Sequence, residues 1–293
     1  MSSHTNPTVL VTGASSGLGR AAALHLAGAG YAVFAGVRSD TAAAELAAAS
    51  PSITPLQLDV TVAADIAAAH ATIAEAVGTQ GLHGLVNNAG ICISAPLECV
   101  TPEDLRYQLE VNVIGPAALT RALLPLLRTG GRGDGPRGRV VNVSSGLGRV
   151  ASPFLGAYAT SQFAKEGWSD SLRRELKDQR VSVSVIEPGA ILTPIWDKVS
   201  DTAERILAAA APEVAEVYRK PFTAFVALND KRARASRTKP DQFAKAVEHA
   251  MSARGPRTRY QVGLDSAGGA LAARLLPDKV LDIAIAQTLR VAN

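Results

Sequence analysis

Val9-Leu10-Val11-Thr12-Gly13-Ala14-Ser15-Ser16-Gly17-Leu18-Gly19 decides the architecture of this chain. Its apolar start reads as a buried strand, and the alanine-rich run that follows reads as a helix over Gly17–Ala29, stopped by Gly30. Between them lies a glycine-rich turn. Glycine lets the backbone bend sharply and lets a ligand approach closely, and a phosphate is favoured at a helix N-terminus. A glycine loop between strand and helix is the setting that a dinucleotide site requires. Gly13, Ser15, Ser16, Gly17, Leu18 and Gly19 are therefore its first candidate binding residues.

Outward from this unit the same rhythm repeats. Ala32–Val37, Thr54–Leu58, Leu82–Val86, Val140–Val143 and Val181–Ile186 read as strands. Helices are expected over Ala42–Ala49, Ala63–Val77, Pro102–Leu127 with a bend near Gly115-Pro116, and Tyr158–Lys177. Apolar strands alternating with helices predict an α/β fold, a doubly wound parallel sheet of Rossmann type covered on both faces. No linker divides the 293 residues, so a single domain is expected. Its cofactor and catalytic core would cover about residues 8–195, a helical substrate flap about 195–250, and a tail 251–293. Arg128–Arg139 reads as a mobile solvated loop.

Composition narrows the function classes. Apolar residues make up 47% of the chain, enough for a large core, and the net charge of +4 is too mild to mark a nucleic-acid surface. Cys92 and Cys99 suggest neither a disulfide framework nor a metal site. The polar Met1–Pro7 does not read as a signal peptide, and no apolar run reaches the roughly 20 residues that span a bilayer. A cytoplasmic protein with no transmembrane segment is the expectation.

The second strand ends at Val37, followed by Arg38. A carboxylate at that tip would bind the adenosine ribose and repel a 2′-phosphate. Arg38 instead offers charge-assisted hydrogen bonds to such a phosphate, which favours NADP over NAD.

Ser145 follows the strand Val140–Val143, and Tyr158 opens a helix thirteen residues later. A tyrosine acting as acid or base has an ordinary pKa of about 10 and needs a nearby cation to work near neutrality. Position 162, one turn along the same face, is where that cation would stand; this chain has Gln162. Lys165 lies roughly 5 Å further along the helix, so its ammonium is expected to point elsewhere.

Taken together, Thr12–Gly19, Asp59-Val60, Asn87–Gly90, Asn112, Ser145, Tyr158, Pro188-Gly189 and Thr193 resemble the short-chain dehydrogenase/reductase family. Ser169–Glu175 and Val181–Gly189 are similar to its retinol and hydroxysteroid dehydrogenase branch, and Pro256–Tyr260 with Leu275–Asp278 resembles bacterial members near it. The resemblance implies that Asp59 and Val60 contact the adenine, and that Asn88, Ala89 and Gly90 line the cofactor. It assigns the proton to Tyr158, the substrate oxygen to Ser145, and the nicotinamide to Pro188, Gly189, Ile191 and Thr193. Asn112 would anchor a water chain to the lysine of ordinary members. Gln162 keeps the ability to bond the nicotinamide ribose but supplies no charge.

After Thr193, Ile195–Tyr218 reads as one amphipathic helix of the flap, and Trp196, Phe222 and Phe225 as walls of an apolar pocket or as core. Lys231–Lys239 reads as a solvated basic run or a handle for an acidic substrate or surface, and Asp241–Met251 as helix. The expected activity is NADP-dependent interconversion of a secondary alcohol and a ketone on a bulky apolar small molecule. The alternatives are a cofactor-binding protein with vestigial catalysis and a non-redox isomerase or lyase. A homodimer or homotetramer is expected through the helices Pro102–Leu127 and Tyr158–Lys177, where Lys165 and Arg121 would weaken the packing.

Overall fold

The computed structural model describes residues 6–131 and 135–290; Met1–Thr5 of the N-terminal reading and Arg132–Asp134 of the 128–139 loop lie outside the described residues. Strands β1 (Thr8–Thr12), β2 (Ala32–Val37), β3 (Ile53–Gln57), β4 (Gly84–Asn87), β5 (Gly138–Val143), β6 (Val181–Pro188) and β7 (Arg259–Val262) form one sheet in the order β3-β2-β1-β4-β5-β6-β7. Every neighbouring pair is parallel. Helices α1 (Gly17–Gly28), α2 (Asp40–Ala49) and α3 (Ala63–Val77) follow the first three strands. Then come α4 (Pro102–Leu109), α5 (Gly115–Thr129) and α6 (Gly156–Glu175). The last third holds α7 (Ile195–Ala209), α8 (Pro212–Ala235), α9 (Pro240–Ser252), α10 (Leu264–Leu275) and α11 (Asp278–Arg290).

Alternation along β1 explains why the strand is apolar throughout. Val9 and Val11 pack with Ala22, Leu26, Phe243 and Val247 of α1 and α9 on one face. Leu10 packs with Ile73, Leu119, Leu123 and Leu172 of α3, α5 and α6 on the other. The order reverses between β1 and β4, leaving a crevice at the carboxyl ends of the strands where such sheets bind ligands.

Three sequence expectations are corrected. The bend expected at Gly115-Pro116 is a π-helical turn over Glu110–Ile114, while Pro116 sits harmlessly in the first turn of α5. The helix expected over Ile195–Tyr218 is two helices, because Pro212 holds Ala211 extended at ψ 134° and starts α8 anew. The tail contributes a seventh strand: Arg259–Val262 alternates polar and apolar residues and is too short to stand out by pattern. The basic run begins inside α8, whose end is Ala235.

Candidate active site

The glycine loop is fastened from beneath. Thr12 Oγ1 accepts the Asn88 and Ala89 amides at 3.0 and 2.9 Å, and Asn88 Nδ2 donates to the Thr12 carbonyl at 2.9 Å. Gly13 and Gly17 take φ of 63° and 54°, which other residues adopt at a penalty. A Cβ on Gly19 would collide with the Gly13 carbonyl, so α1 starts hard against the loop. Ser16, at the N-cap, makes no side-chain cap bond, which leaves the first amides of α1 to a ligand. Thr193 lies across the crevice, its Cβ 3.4 Å from where a Gly17 Cβ would be.

At the tips of β2 and β3, Val37 is buried and Arg38 reaches out to donate to Asp59 Oδ2 at 3.3 Å. The Asp59 carboxylate also accepts the Thr61 amide and hydroxyl at 2.9 and 2.7 Å. Burial pushes its pKa up, but the Thr61 donors and Arg38 outweigh that and hold it below the usual range. Val60 is buried beneath Gly115, where a Cβ would strike the Val60 carbonyl.

Ser145, extended just after β5, and Tyr158, in the first turn of α6, are brought close enough for the Ser145 hydroxyl to favour the ionised phenol. Burial raises the Tyr158 pKa well above its ordinary value, the neighbouring Cys92 raises it further, and Ser145 offsets only part. Burial also pushes the Cys92 thiol up to about 12, so Cys92 is a neutral neighbour. Gln162 is buried on the same face, with Nε2 donating to Ser161 Oγ at 3.2 Å and Oε1 without a partner among the described residues. Asn112, on the π-helical turn, donates to the same Ser161 oxygen at 3.1 Å and clamps the Ile91 carbonyl and amide, each at 2.9 Å.

Lys165 points away from position 162 as expected, but it does not lie on the packing face where it would weaken association. It is 3% exposed and turned inward, and Nζ donates to the Val143 carbonyl at 2.9 Å. Burial lowers its pKa to about 8, with Glu166 raising it in part. It therefore does not stand on an outer face of α6, whereas Arg121 is exposed. Beyond it lies a buried ionic cluster that the sequence reading missed. Arg149 bonds Glu187 at 2.9 Å and Glu166 at 3.2 Å, while Arg259 bonds Asp170 at 3.0 Å and Glu166 at 3.1 Å. Burial and the Glu187 charge push Glu166 up to about 7. The available signal was the Lys165-Glu166 pair in the middle of a helix face that must be buried.

The loop after β6 is held by residues equally invisible in the motifs. The Asp265 carboxylate occupies the space a Gly189 Cβ would need, and it accepts the Ala190 amide at 2.6 Å. Ser266 donates to the Glu187 carbonyl at 2.7 Å, and Trp196 Nε1 to the Ile191 carbonyl at 3.0 Å. Beside Ser145 and Tyr158, Cys92, Leu147, Phe154, Leu155, Phe222 and Phe225 form an apolar cluster. Phe154 stands 5.3 and 5.2 Å from the rings of Phe222 and Phe225 and adopts φ 64°. Such a backbone in a bulky residue is strained and marks a position fixed by its surroundings. Trp196, Leu155 and Phe225 also line an adjoining cavity of about 20 Å³.

A short chain dehydrogenase family model matches residues 7–204. The chain belongs to the short-chain dehydrogenase family. This dehydrogenase is 42% identical over 262 residues to 3-amino-tetrahydro-pyrrolizinone reductase of Xenorhabdus hominickii, covering 89% of this chain and 88% of that one. It is 40% identical over 271 residues to human retinol dehydrogenase 16, covering 88% and 81%. A short chain dehydrogenase from Burkholderia cenocepacia in complex with NADP superposes with a TM-score of 0.72 at 25% identity, over 96% of this chain and 97% of that one. The chain is thus an oxidoreductase of that family, whose relatives carry dehydrogenase and reductase names. The glycine cradle, the free first amides of α1 and the unpartnered Gln162 Oε1 fit a nicotinamide dinucleotide. Among the described residues, no helix is long and apolar enough to cross a membrane.

Proposed function

We propose that this dehydrogenase uses NADP(H) to interconvert a secondary alcohol and a ketone on a bulky apolar substrate. The observation that carries the reading is the juxtaposition of Ser145 and Tyr158 beside the apolar cluster of Phe154, Phe222 and Phe225. When bound, the dinucleotide supplies hydride to the carbonyl carbon or receives it from the alcohol carbon. Ser145 donates to the substrate oxygen and fixes its direction, and Tyr158 gives that oxygen its phenolic proton or takes it back. The aromatic wall excludes water and favours an apolar body around the reacting carbon. Asn88, Ala89 and Gly90 form the inner side of the cradle, while Pro188, Gly189, Ile191 and Thr193, held by Asp265, form the nicotinamide side. Gln162 offers its unpartnered oxygen to a ribose hydroxyl.

Preference for the 2′-phosphate rests on Arg38, whose guanidinium is largely exposed beside Asp59. Solved structures with this fold are in complex with NADP in one case and NAD in another, so the local charge decides. The same proposal includes a cytoplasmic homodimer or homotetramer. Exposed Tyr107, Ile114 and Phe163 along α4–α6 support the association, and Lys165, being inside, does not oppose it. The test is turnover of a ketone and alcohol panel with both dinucleotides, with Tyr158→Phe as control. Turnover with NADPH that Tyr158→Phe removes supports the reading. Tight NADPH binding with no turnover leaves a cofactor-binding role instead.

A further inference from the structure

Gln162 leaves Tyr158 without a cation one turn along α6, yet the same buried face carries a cation one turn further. Lys165 ends on the Val143 carbonyl, two residues before Ser145. Side chains on a helix lean toward its N-terminus, so the ammonium lies on the Tyr158 side of its own Cα. Two extended residues span roughly 7 Å, which places the charge within about 10 Å of Ser145, the partner of Tyr158. No ion pair within salt-bridge distance neutralises it among the described residues, because its neighbour Glu166 is committed to Arg149 and Arg259. A buried, incompletely paired ammonium opposes folding, and an apolar side chain would pack that face better. Its presence calls for a use of the charge.

We propose that Lys165 is a positioning residue for catalysis: it braces the β5 end that carries Ser145, and its field stabilises negative charge on Tyr158 in place of the cation absent at 162. This rests on Tyr158 being the acid of the proposed reaction. At roughly 10 Å and an effective dielectric near 20, a unit charge shifts a phenol by at most about one pH unit. That corresponds to roughly tenfold in proton transfer from Tyr158 to the product oxygen.

The charge is present only while Lys165 is protonated, so ketone reduction is expected to fall as pH rises through about 8. The groups facing this region are Cys92 from the loop after β4, Arg149 after β5, Glu166 and Asp170 on α6, Glu187 on β6 and Arg259 on β7. Cys92 titrates above this window, Glu166 borders it, and α8 adds Asp230 at the adjoining cavity, so loss of the limb in Lys165→Met assigns it to Lys165.

The experiment is steady-state ketone reduction against pH for the unmodified enzyme, Lys165→Met, Lys165→Arg, the double variant Gln162→Lys with Lys165→Met, and Tyr158→Phe. Lys165→Met is expected to lower kcat about tenfold at pH 7, leave KM unchanged and abolish the limb near pH 8. Lys165→Arg should retain the rate and carry the limb to higher pH, and the double variant should recover the rate. An unchanged kcat and an unchanged limb in Lys165→Met would overturn the proposal, as would recovery absent from both cationic variants. Turnover that survives Tyr158→Phe would instead overturn the underlying assignment of the acid.

Discussion

Asn112 and Gln162 converge on one oxygen, the Ser161 hydroxyl, at 3.1 and 3.2 Å. The π-helical turn delivers Asn112 to this point, and Ser161 in turn donates a hydrogen bond to the Tyr158 carbonyl at 2.7 Å. Gln162 is thereby held on the Tyr158 face of α6, with its carbonyl oxygen unsatisfied among the described residues, an arrangement that holds geometry without charge. Gln162→Lys is expected to raise turnover of an accepted alcohol by about tenfold and to move the oxidation profile to lower pH, because a close ammonium stabilises the tyrosinate. A pH–rate series on both proteins checks this. Equal or lower turnover in a folded variant would show that the site is adapted to a neutral side chain.

Cofactor choice is expected to turn on Arg38 and its carboxylate neighbour. With Arg38 present, Asp59 is paired; without it, a carboxylate held ionised by Thr61 faces the 2′-phosphate. Arg38→Ala is expected to weaken NADPH by about tenfold or more, from loss of charge-assisted bonds, while NADH changes little. Dissociation constants by fluorescence titration decide it, and equal constants in the unmodified enzyme would refute the preference.

What was legible in the chain follows from periodicity and fixed spacing. The strands Val9–Val11 and Val140–Val143 and the helix Ala63–Val77 are set by local pattern, so they appear nearly where expected. Thr12, Asn88, Ser145 and Tyr158 lie in motifs whose geometry is carried by their own elements. Asp265, Ser266 and the Arg149–Glu166–Glu187–Arg259 cluster were not legible, because each acts across a long sequence separation and none has a spacing signature. Lys165 was expected on an outer face, and its burial was not legible, for a simpler reason. Counting turns located its Cα, but only packing against β5 fixes where a long flexible side chain ends.

Stability should oppose function at Lys165. Its folded pKa is lowered from 10.5 to about 8, so between these values the unfolded chain binds more protons and stability rises with pH. Below about 8 the full penalty applies, at most about 3 kcal/mol. Lys165→Met is therefore expected to be more stable than the unmodified protein at pH 7, with the advantage shrinking toward pH 10. Denaturant unfolding at both pH values measures it, and a less stable variant at pH 7 would mean that the Val143 bond outweighs desolvation.

Asp265 is expected to matter for the cofactor although it stands far along the chain from every recognisable motif. Its carboxylate fills the gap beside Gly189 and holds the Ala190 amide at 2.6 Å, which fixes the Pro188–Thr193 loop against α10. Asp265→Ala removes one charged hydrogen bond and opens a gap beside a glycine, so the loop gains freedom exactly where the nicotinamide must be held still. Dinucleotide affinity is expected to fall about tenfold, equally for NADPH and NADH, because the change lies at the nicotinamide end and leaves Arg38 intact. Asp265→Asn, which keeps an acceptor, should lose less. Titration of both cofactors against the three proteins provides the check: a selective loss of NADPH alone, or no loss in Asp265→Ala, would show that α10 does not position the nicotinamide side.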